Sequence, residues 1–339
     1  NFMSEDNLFY SASDADSEGE EGTYFVYTYA EVYKILAENG YENIEAKMQE
    51  MEVTHHGNFE GKNIIRLESG EKPAYFQDVK ILLQDLRNTR EYPFIDKKVQ
   101  TSWSGMMIKA LFTLGAIDNK YNKKAVKSLN VLLQTMFIDG KLYHTTLIHK
   151  KPKIEAFLED YAFLGTALIQ AYKFTQDEIY LIHAQRFANK ALEEFYNKGE
   201  WSFSSGEFVT KAETSDNTYT SSISVMIDLL ISLGTLLEDE KYTHFAFKTL
   251  EYNSYELGRK PVYSSYMLTQ MLRYLKGDRV IKASVDNLKS NSLNMVKLQY
   301  PFVQLKQSDE KGYMICGDKS CFSNTTDISD LNSLIQKSL

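Results

Sequence analysis

The middle of the chain repeats a short helical motif. Three segments, 118–125, 177–184 and 239–246, share the pattern Asp-x-x-Tyr-x-x-x-Ala at intervals of about 60 residues. An aspartate at a helix start can accept hydrogen bonds from unpaired backbone N–H groups, and residues four apart lie on one helix face. A fixed repeat length is typical of proteins that copy one structural unit several times. The pattern therefore predicts a helix that begins at each aspartate.

A more apolar helix is predicted before each repeat, over residues 103–115, 160–172 and 222–234, and a fourth over 264–277. Helices that are apolar nearly all round are enclosed by other helices. The fold class that follows is mostly α, with three hairpins and one further inner helix, about half of an (α/α)6 toroid. The linkers that enter the inner helices are about 18 to 24 residues long, a length typical of functional loops.

The regions before and after the helical hairpins are predicted to contain both strands and helices. Residues 9–28 indicate a β-hairpin around an acidic loop, and 30–39 indicate a helix. We expect a partial barrel domain over 1–277 and a small α/β subdomain over 278–339. Shorter elements are two strands within 53–67 and, in the tail, strands 279–285, 300–306 and 312–316 with helices 286–295 and 328–338.

Charge and hydropathy exclude several partner classes. The net charge of −8 argues against a nucleic acid or an anionic membrane as partner. No apolar run approaches the roughly 20 residues that span a bilayer. The chain opens on Asn1 rather than Met, which we interpret as a cut N-terminus. The absence of a targeting signal therefore says little about the native protein, and the expected compartment is the cytoplasm.

The cysteines and histidines give no recognisable metal or cofactor pattern. Cys316 and Cys321 have four residues between them, which favours two reduced thiols near a turn, with a disulfide or a metal site as alternatives. His55 and His56 are adjacent on a predicted strand and point to opposite faces, so they cannot chelate one ion. The sequence predicts no metal and no cofactor.

Several motifs occur in an order that resembles one protein family. They are "FYSASDADSEGEEGTYFVYT", "GNFEGKNII", "REYPFIDKKVQTSWSGMMIKAL", "FLEDYAFLGTALIQAY" and "GYMICGDKSC". The chain resembles the YyaL-type and spermatogenesis-associated protein 20-like family, a thioredoxin-like domain fused to an (α/α)6 barrel related to six-hairpin glycosidases and sugar 2-epimerases. The resemblance implies that the thioredoxin-like domain and the first hairpins precede this chain.

The acidic loop is the first candidate site. Asp14, Asp16 and Glu18 imitate the start of an EF-hand calcium loop, but the position that requires a bidentate Glu is Phe25, which excludes an EF-hand. A solvated turn and a specific cation site are alternatives. We favour a cluster that lines the barrel mouth, because crowded carboxylates raise one another's pKa and can bind sugar hydroxyls. Asp14 and Asp16 are expected to face inward, and Glu20 and Glu21 outward.

The second candidate site is the motif "LEDYA". The alignment of the inner helices places Asp160 level with Trp103, at the end where a ring cavity opens. Asp160 is either a plain helix cap or a catalytic partner of Asp14 and Asp16. Glu159, Tyr161 and Trp103 are predicted to bind substrate, since aromatic faces and carboxylates together grip sugar rings.

Two further acids and four histidines also bear on the expected function. Glu18 and Glu60 are added to the predicted substrate-binding set. His144, His149, His183 and His244 form no recognisable epimerase constellation, which favours carboxylate chemistry. The expected function is a carbohydrate-binding or carbohydrate-active barrel with a sugar-like ligand. The alternative is a non-enzymatic platform on which the upstream thioredoxin-like domain docks.

Overall fold

The computed structural model describes residues 2–17, 19–67, 69–290, 298–317 and 320–337. They fall into two compact units, one formed by Ser11–Lys97 and the other by Asn1–Tyr10 with Lys98–Leu339. The larger unit contains the repeats and the C-terminal tail. The boundary expected between residues 277 and 278 stays a prediction.

The smaller unit has a core made by three helices. Val32, Leu36, Val79 and Leu83 are buried there together with Met48. Its elements are β1 (Ala12–Ser13), β2 (Asp16–Ser17), β3 (Glu20–Glu21), α1 (Tyr29–Glu38), α2 (Ile44–Glu50), α3 (Phe76–Asn88) and β4 (Ile95–Asp96). Helix α1 confirms the helix predicted over 30–39, and a capping box between Thr28 and Glu31 fixes its start.

The long hairpin predicted over 9–28 is wrong in extent. Strand β2 pairs with β3 at the tip of the acidic loop, but β1 pairs with β4 instead of returning along the loop. The β-forming residues after the loop are used as core side chains: Tyr24, Val26 and Tyr27 are at most 5% exposed. The two strands predicted within 53–67 are reduced to isolated bridges, Phe59 with Lys62 and Tyr27 with Asn63.

The larger unit confirms the helical hairpins. Inner and outer helices alternate as α4 with α5, α6 with α7 and α8 with α9, and a further inner helix, α11, packs on α8. The bounds are α4 (Thr101–Leu114), α5 (Lys120–Met136), α6 (Leu158–Thr175), α7 (Glu178–Phe195), α8 (Ser222–Leu237), α9 (Glu240–Tyr252), α10 (Ser254–Arg259) and α11 (Ser265–Lys276).

The repeated residues of the second and third hairpins hold matching environments, whereas in the first hairpin the N-cap of α5 is Asn119 rather than Asp118. Asp177 and Asp239 are the N-caps of α7 and α9, and each carboxylate accepts a hydrogen bond from a first-turn N–H. The Tyr180 hydroxyl donates to Asn130, and the Tyr242 hydroxyl donates to Asn189, both at 2.9 Å. Each bond joins an outer helix to the outer helix of the preceding hairpin. The repeat therefore specifies contacts as well as helix starts.

The inner helices approach one another closely. A Cβ atom added to Gly105 on α4 would lie 2.9 Å from backbone atoms of Phe163 and Leu164 on α6, so only glycine permits this contact. Helix α6 is buried on nearly every side. This confirms that an all-round apolar sequence marks a helix enclosed by others.

Each of the first two outer helices ends in a tight β-hairpin that the sequence reasoning missed. Strands β6 (Phe137–Ile138) and β9 (Tyr196–Asn197) turn through Asp139-Gly140 and Lys198-Gly199, and all four turn residues have positive φ. Such turns match the twist of paired strands. The return strands are β7 (Lys141–Leu147) and β10 (Glu200–Trp201); β7 also pairs with β5 (Lys98–Gln100) and β8 (Ile154–Glu155).

A buried ionic network joins the inner helices. Arg273 on α11 bonds to Asp228 on α8 at 2.7 Å and to Asp278 at 2.6 Å. Lys109 on α4 completes the network with an ion pair to Asp228 at 3.0 Å. Pairing compensates for the cost of burying these charges, so the network links α4, α8 and α11 without leaving a charge unpartnered.

The tail forms a four-stranded mixed sheet in the order β12–β11–β13–β14, with its own hydrophobic core. Its elements are β11 (Arg279–Ala283), α12 (Val285–Ser290), β12 (Val303–Gln307), β13 (Tyr313–Cys316), β14 (Cys321–Thr325) and α13 (Leu331–Gln336). Strand β14 was not predicted. Residues 291–297, part of the predicted helix 286–295, lie outside the described residues.

Cys316 and Cys321 are joined by a disulfide between β13 and β14. The preferred prediction of two reduced thiols is therefore wrong, because the pairing of β13 with β14 places Cys316 directly opposite Cys321. Among the described residues, no helix has both the length and the apolar character needed to cross a bilayer.

Candidate functional site

The site lies at the N-terminus of the inner helix α6. Phe157 is the N-cap residue, and Glu159 and Asp160 occupy the first turn. Helix N-termini carry partial positive charge and unpaired N–H groups, which favour carboxylates at these positions. The motif "LEDYA" therefore places two acidic side chains at the start of a helix that is buried along most of its length.

The Asp160 carboxylate is fully buried and is held by N–H donors from three segments. Its Oδ1 accepts from the Ser102 backbone N–H at 2.9 Å, and its Oδ2 accepts from the Phe157 backbone N–H at 2.9 Å. His144 Nδ1 lies 2.9 Å from the same Oδ2. Asp160 thus ties the start of α4, strand β7 and the start of α6 together.

Glu159 is held by hydroxyl groups instead. Its Oε1 accepts from the Ser102 hydroxyl at 3.1 Å, and its Oε2 accepts from the Tyr219 hydroxyl at 3.0 Å. The residue is 6% exposed, whereas Asp160 is not exposed at all. Of the two adjacent acids, only Glu159 reaches a cavity surface.

Burial and mutual repulsion shift the protonation of this cluster. Burial raises the pKa of Glu159 above its ordinary value, the Asp160 charge raises it further, and the two hydroxyl donors oppose the rise. Burial also raises the pKa of Asp160, against the opposing effect of His144 and the two backbone N–H groups. Burial alone would lower the pKa of His144, but its hydrogen bond to Asp160 and the neighbouring negative charges outweigh burial, and the pKa is raised.

The carboxyl of Glu159 opens on a cavity of about 390 Å³, within the size range of small-molecule sites. The linker before α8 supplies most of its wall. Hydroxyl, amide and aromatic groups dominate the lining, among them Phe203, Thr210, Ser215, Asn217, Thr218, Tyr219 and Thr220. Burial and the Glu159 carboxyl raise the pKa of Tyr219 to about 12, so its hydroxyl stays a donor near neutral pH.

Trp103 and Tyr161 have different surroundings. Trp103 is 37% exposed at the start of α4 and lies close enough to Tyr219 to affect the protonation of its hydroxyl. Tyr161 is buried among the rings of Phe187 and Phe195 and does not line the Glu159 cavity. Their predicted roles in substrate binding stay predictions.

The acidic loop belongs to the smaller unit. Asp14, Asp16, Glu20 and Glu21 are exposed there, and Glu20 forms an ion pair with Lys62 at 3.1 Å that lowers its pKa. Glu60 is also exposed in this unit and has positive φ. Glu18 lies outside the described residues. The predicted partnership of Asp14 and Asp16 with Asp160 stays a prediction.

His144 is the residue of the site that sequence reasoning set aside. It lies on β7, and its ring packs on Phe157 with centroids 4.7 Å apart. The ring of Phe203 also stacks on Phe157, with the ring centroids 5.2 Å apart. His144 follows Asp118 by the same number of residues as Phe203 follows Asp177. An alignment of the repeats extended past the outer helices would therefore have pointed to His144.

Three residues of the site could also approach a cation. Ligand atoms of His144, Glu159 and Asp160 lie within 4.8 Å of one another. The carboxylate oxygens already accept hydrogen bonds from backbone and hydroxyl donors. A cation would compete with all of these donors, so the arrangement fits a preorganised acid cluster better than a metal centre.

Comparison with known proteins identifies relatives by sequence. The chain is 27% identical to human spermatogenesis-associated protein 20 over 252 residues, which are 60% of this chain and 31% of that protein. An uncharacterised protein from Caenorhabditis elegans is 24% identical over 66% of this chain and 34% of its own length. A scan against models of protein families finds no match.

Solved structures of similar shape include two sugar-processing enzymes. One is a family 76 α-mannanase from Bacteroides thetaiotaomicron, at 14% identity and a TM-score of 0.42 over 86% of this chain and 80% of that chain. The other is a cellobiose 2-epimerase from Bacillus thermoamylovorans, at 11% identity and a TM-score of 0.42 over 76% and 67% of the two chains. At this level of similarity the fold assignment depends on the hairpins described above.

The chain spans about a third of the length of the curated relatives it matches. The alignments with those relatives cover more than half of this chain. The chain is similar in sequence to spermatogenesis-associated protein 20 from three mammals, and its fold consists of alternating inner and outer helices.

Proposed function

We propose that this chain carries a carbohydrate site at the N-terminus of α6, in which Glu159 donates a proton to the bound sugar. The observation that carries the proposal is one carboxyl of raised pKa on the wall of a cavity lined by hydroxyl, amide and aromatic groups. Sugars are bound by many hydrogen bonds and by ring stacking, and this lining supplies both. A carboxyl that keeps its proton nearer to neutral pH can act as a general acid.

Asp160 has a different role in this proposal. It is fully buried, and its oxygens are engaged by Ser102, Phe157 and His144. It therefore positions the helix start and His144, and its negative charge helps to keep Glu159 protonated. Glycoside hydrolysis uses two carboxyl groups on opposite sides of the scissile bond. The predicted catalytic roles of Asp14 and Asp16 stay predictions.

The names of the solved structures of similar shape agree with this ligand class. They are a mannanase and an epimerase, and each acts on sugars by its own name. The proposal itself depends on the Glu159 cavity. The alternative function, a docking platform for an upstream thioredoxin-like domain, remains the competing proposal and requires no ligand in that cavity.

The test is a thermal-shift screen of mono- and oligosaccharides on the full-length protein that contains this chain. We expect at least one saccharide to raise the melting temperature of the wild type. Glu159→Gln should lose this shift, because the amide NH2 replaces one of the two oxygens that accept from Ser102 and Tyr219, so the side chain can no longer be held in the same position on the cavity wall.

The matched control is Glu240→Gln, which makes the same change on the exposed first turn of α9. It should retain the full shift. The proposal is wrong if no saccharide stabilises the wild type, or if Glu159→Gln responds as the control does. The first of these outcomes would favour the docking alternative.

A further inference from the structure

A second cavity, of about 530 Å³, lies between α7 and the hairpin of β6 and β7. Its apolar wall includes Phe137, Leu142, Tyr161 and Phe187. None of these four residues lines the Glu159 cavity. The volume is in the range of small-molecule sites. The two cavities are therefore separate.

Arg186 is the notable polar group in this cavity. Its guanidinium lies over the ring of Phe137, with the guanidinium carbon 4.8 Å from the ring centre. A Cβ atom on Gly140 would be 2.8 Å from an Arg186 nitrogen, so the side chain also rests against the hairpin turn. Within the described part of the chain, Arg186 has no hydrogen bond or ion pair. The side chain is exposed to solvent, so its N–H donors are available to a ligand.

The other charged groups of the lining are already paired. Lys190 forms ion pairs with Glu193 at 3.2 Å and with Glu194 at 2.9 Å. These carboxylates neutralise Lys190, which leaves Arg186 as the unpaired charge among the lining residues that the structure describes. Gln185 adds a neutral amide to the same wall.

A neighbouring histidine is also unsatisfied. His183 lies one turn before Arg186 on α7, and its ring meets the edge of Phe137 at 5.6 Å. Its Nδ1 is buried and has no hydrogen-bond partner among the described residues. Native structures rarely leave buried polar atoms unpaired, so this nitrogen requires an explanation such as a bound water or ion, although His183 itself does not line the cavity.

We propose that this cavity binds the oxyanion of a small molecule, a phosphate or a carboxylate attached to an apolar or aromatic body. The planar guanidinium of arginine presents paired N–H donors that match both oxyanions. Stacking uses the face of the guanidinium, so the N–H groups along its edges stay free to bind the ligand. The body of the ligand would contact Ile182, an apolar residue of the lining that is 55% exposed. The site is separate from the Glu159 cavity and does not depend on the function proposed there.

The experiment uses isothermal titration of the full-length protein with phenyl phosphate, benzoate, inorganic phosphate and neutral benzyl alcohol. Phenyl phosphate or benzoate should bind, and benzyl alcohol should not. Arg186→Gln should weaken binding about tenfold or more, since hydrogen bonds to a charged group are strong. Arg186→Lys should restore part of the affinity through its charge. Binding of phenyl phosphate without benzoate would identify phosphate as the natural group, and the reverse would identify a carboxylate.

The control variant is Arg259→Gln on α10, an exposed arginine that contacts the Tyr255 hydroxyl. It should bind as the wild type does, and both glutamine variants should melt within a few degrees of it. The proposal is overturned if neither aromatic anion binds the wild type. It is also overturned if Arg186→Gln and Arg259→Gln bind equally well, because the anion would then be held elsewhere. Binding of inorganic phosphate alone would show a nonspecific anion contact and would contradict a site with an apolar wall.

Discussion

The chain contains two groups of neighbouring acids, and they illustrate opposite uses of the carboxylate. Glu159 and Asp160 are buried at a helix start, and each oxygen accepts a hydrogen bond from an N–H or O–H donor. Asp14, Asp16, Glu20 and Glu21 are exposed, and Lys62 pairs with Glu20. The number of acids in a segment therefore says less about chemistry than the number of donors that hold them.

The difference follows from solvation. Water screens charges on an exposed loop, so neighbouring carboxylates cost little there. A buried carboxylate loses that screening and must be compensated by hydrogen bonds. The pKa values of Glu159 and Asp160 are both raised, and shifted pKa values are common at functional sites.

Asp160→Asn should give the largest effect on stability. The amide cannot accept from Ser102, Phe157 and His144 as the carboxylate does, and one of its N–H groups would face a donor. We expect a loss of about 3 kcal/mol or more in the free energy of unfolding, measured by urea denaturation of the full-length protein. A loss similar to that of a surface substitution would show that Asp160 is not the structural member of the pair.

Tyr219→Phe should give a smaller effect, confined to Glu159. Loss of the hydroxyl removes one of the two donors to Glu159 and should cost about 1 kcal/mol. It should also raise the pKa of Glu159 further, because this donor stabilises the ionised form. Tyr263→Phe, at an exposed tyrosine, is the control and should change neither quantity. Equal effects of the two substitutions would remove Tyr219 from the site.

The pH dependence of stability should reveal the interaction of His144 with Asp160. The pKa of His144 is raised in the folded protein, so its contribution is fully present below the ordinary value of 6.5 and is lost as pH rises through the folded value. The wild type should therefore be stabilised relative to His144→Gln at low pH, and the difference should shrink above pH 6.5. Denaturation at several pH values measures this difference. A gap that widens with rising pH would contradict the pairing of His144 with Asp160.

Asp16→Asn should give the smallest effect on stability, within about 0.5 kcal/mol, since the side chain is exposed. If Asp16 takes part in ligand binding as predicted from the sequence, the same variant should still lose saccharide binding. Unfolding of the variant would make the cluster structural. Unchanged binding would remove Asp16 from the site.

The sequence predicted the helical part of the fold well, because the repeat and the all-round apolar helices are local signals. It failed at 9–28, where Tyr24 and Tyr27 are good strand formers that serve as core residues instead. It also missed the hairpin turn at Asp139-Gly140, although that dipeptide with positive φ at both residues is a strong hairpin signal.

The candidate site was predicted only in part for a related reason. Glu159 and Asp160 were identified from their place at a helix start, which is a local property. Ser102, His144 and Tyr219 come from three other segments, and only tertiary packing brings them to the two acids. His144 was detectable through its match with Phe203 in the next repeat, but the repeat was traced only through the helices.

The most direct test of the account is a pH titration of the Glu159 carboxyl by carbon-13 NMR of the full-length protein, with the resonance assigned by its absence in Glu159→Gln. The account predicts a pKa above the ordinary value of 4.5 and a change in that resonance when a stabilising saccharide is added. A carboxyl that titrates at or below 4.5, or that does not respond to a bound saccharide, would contradict the assignment of Glu159 as the proton donor of the site.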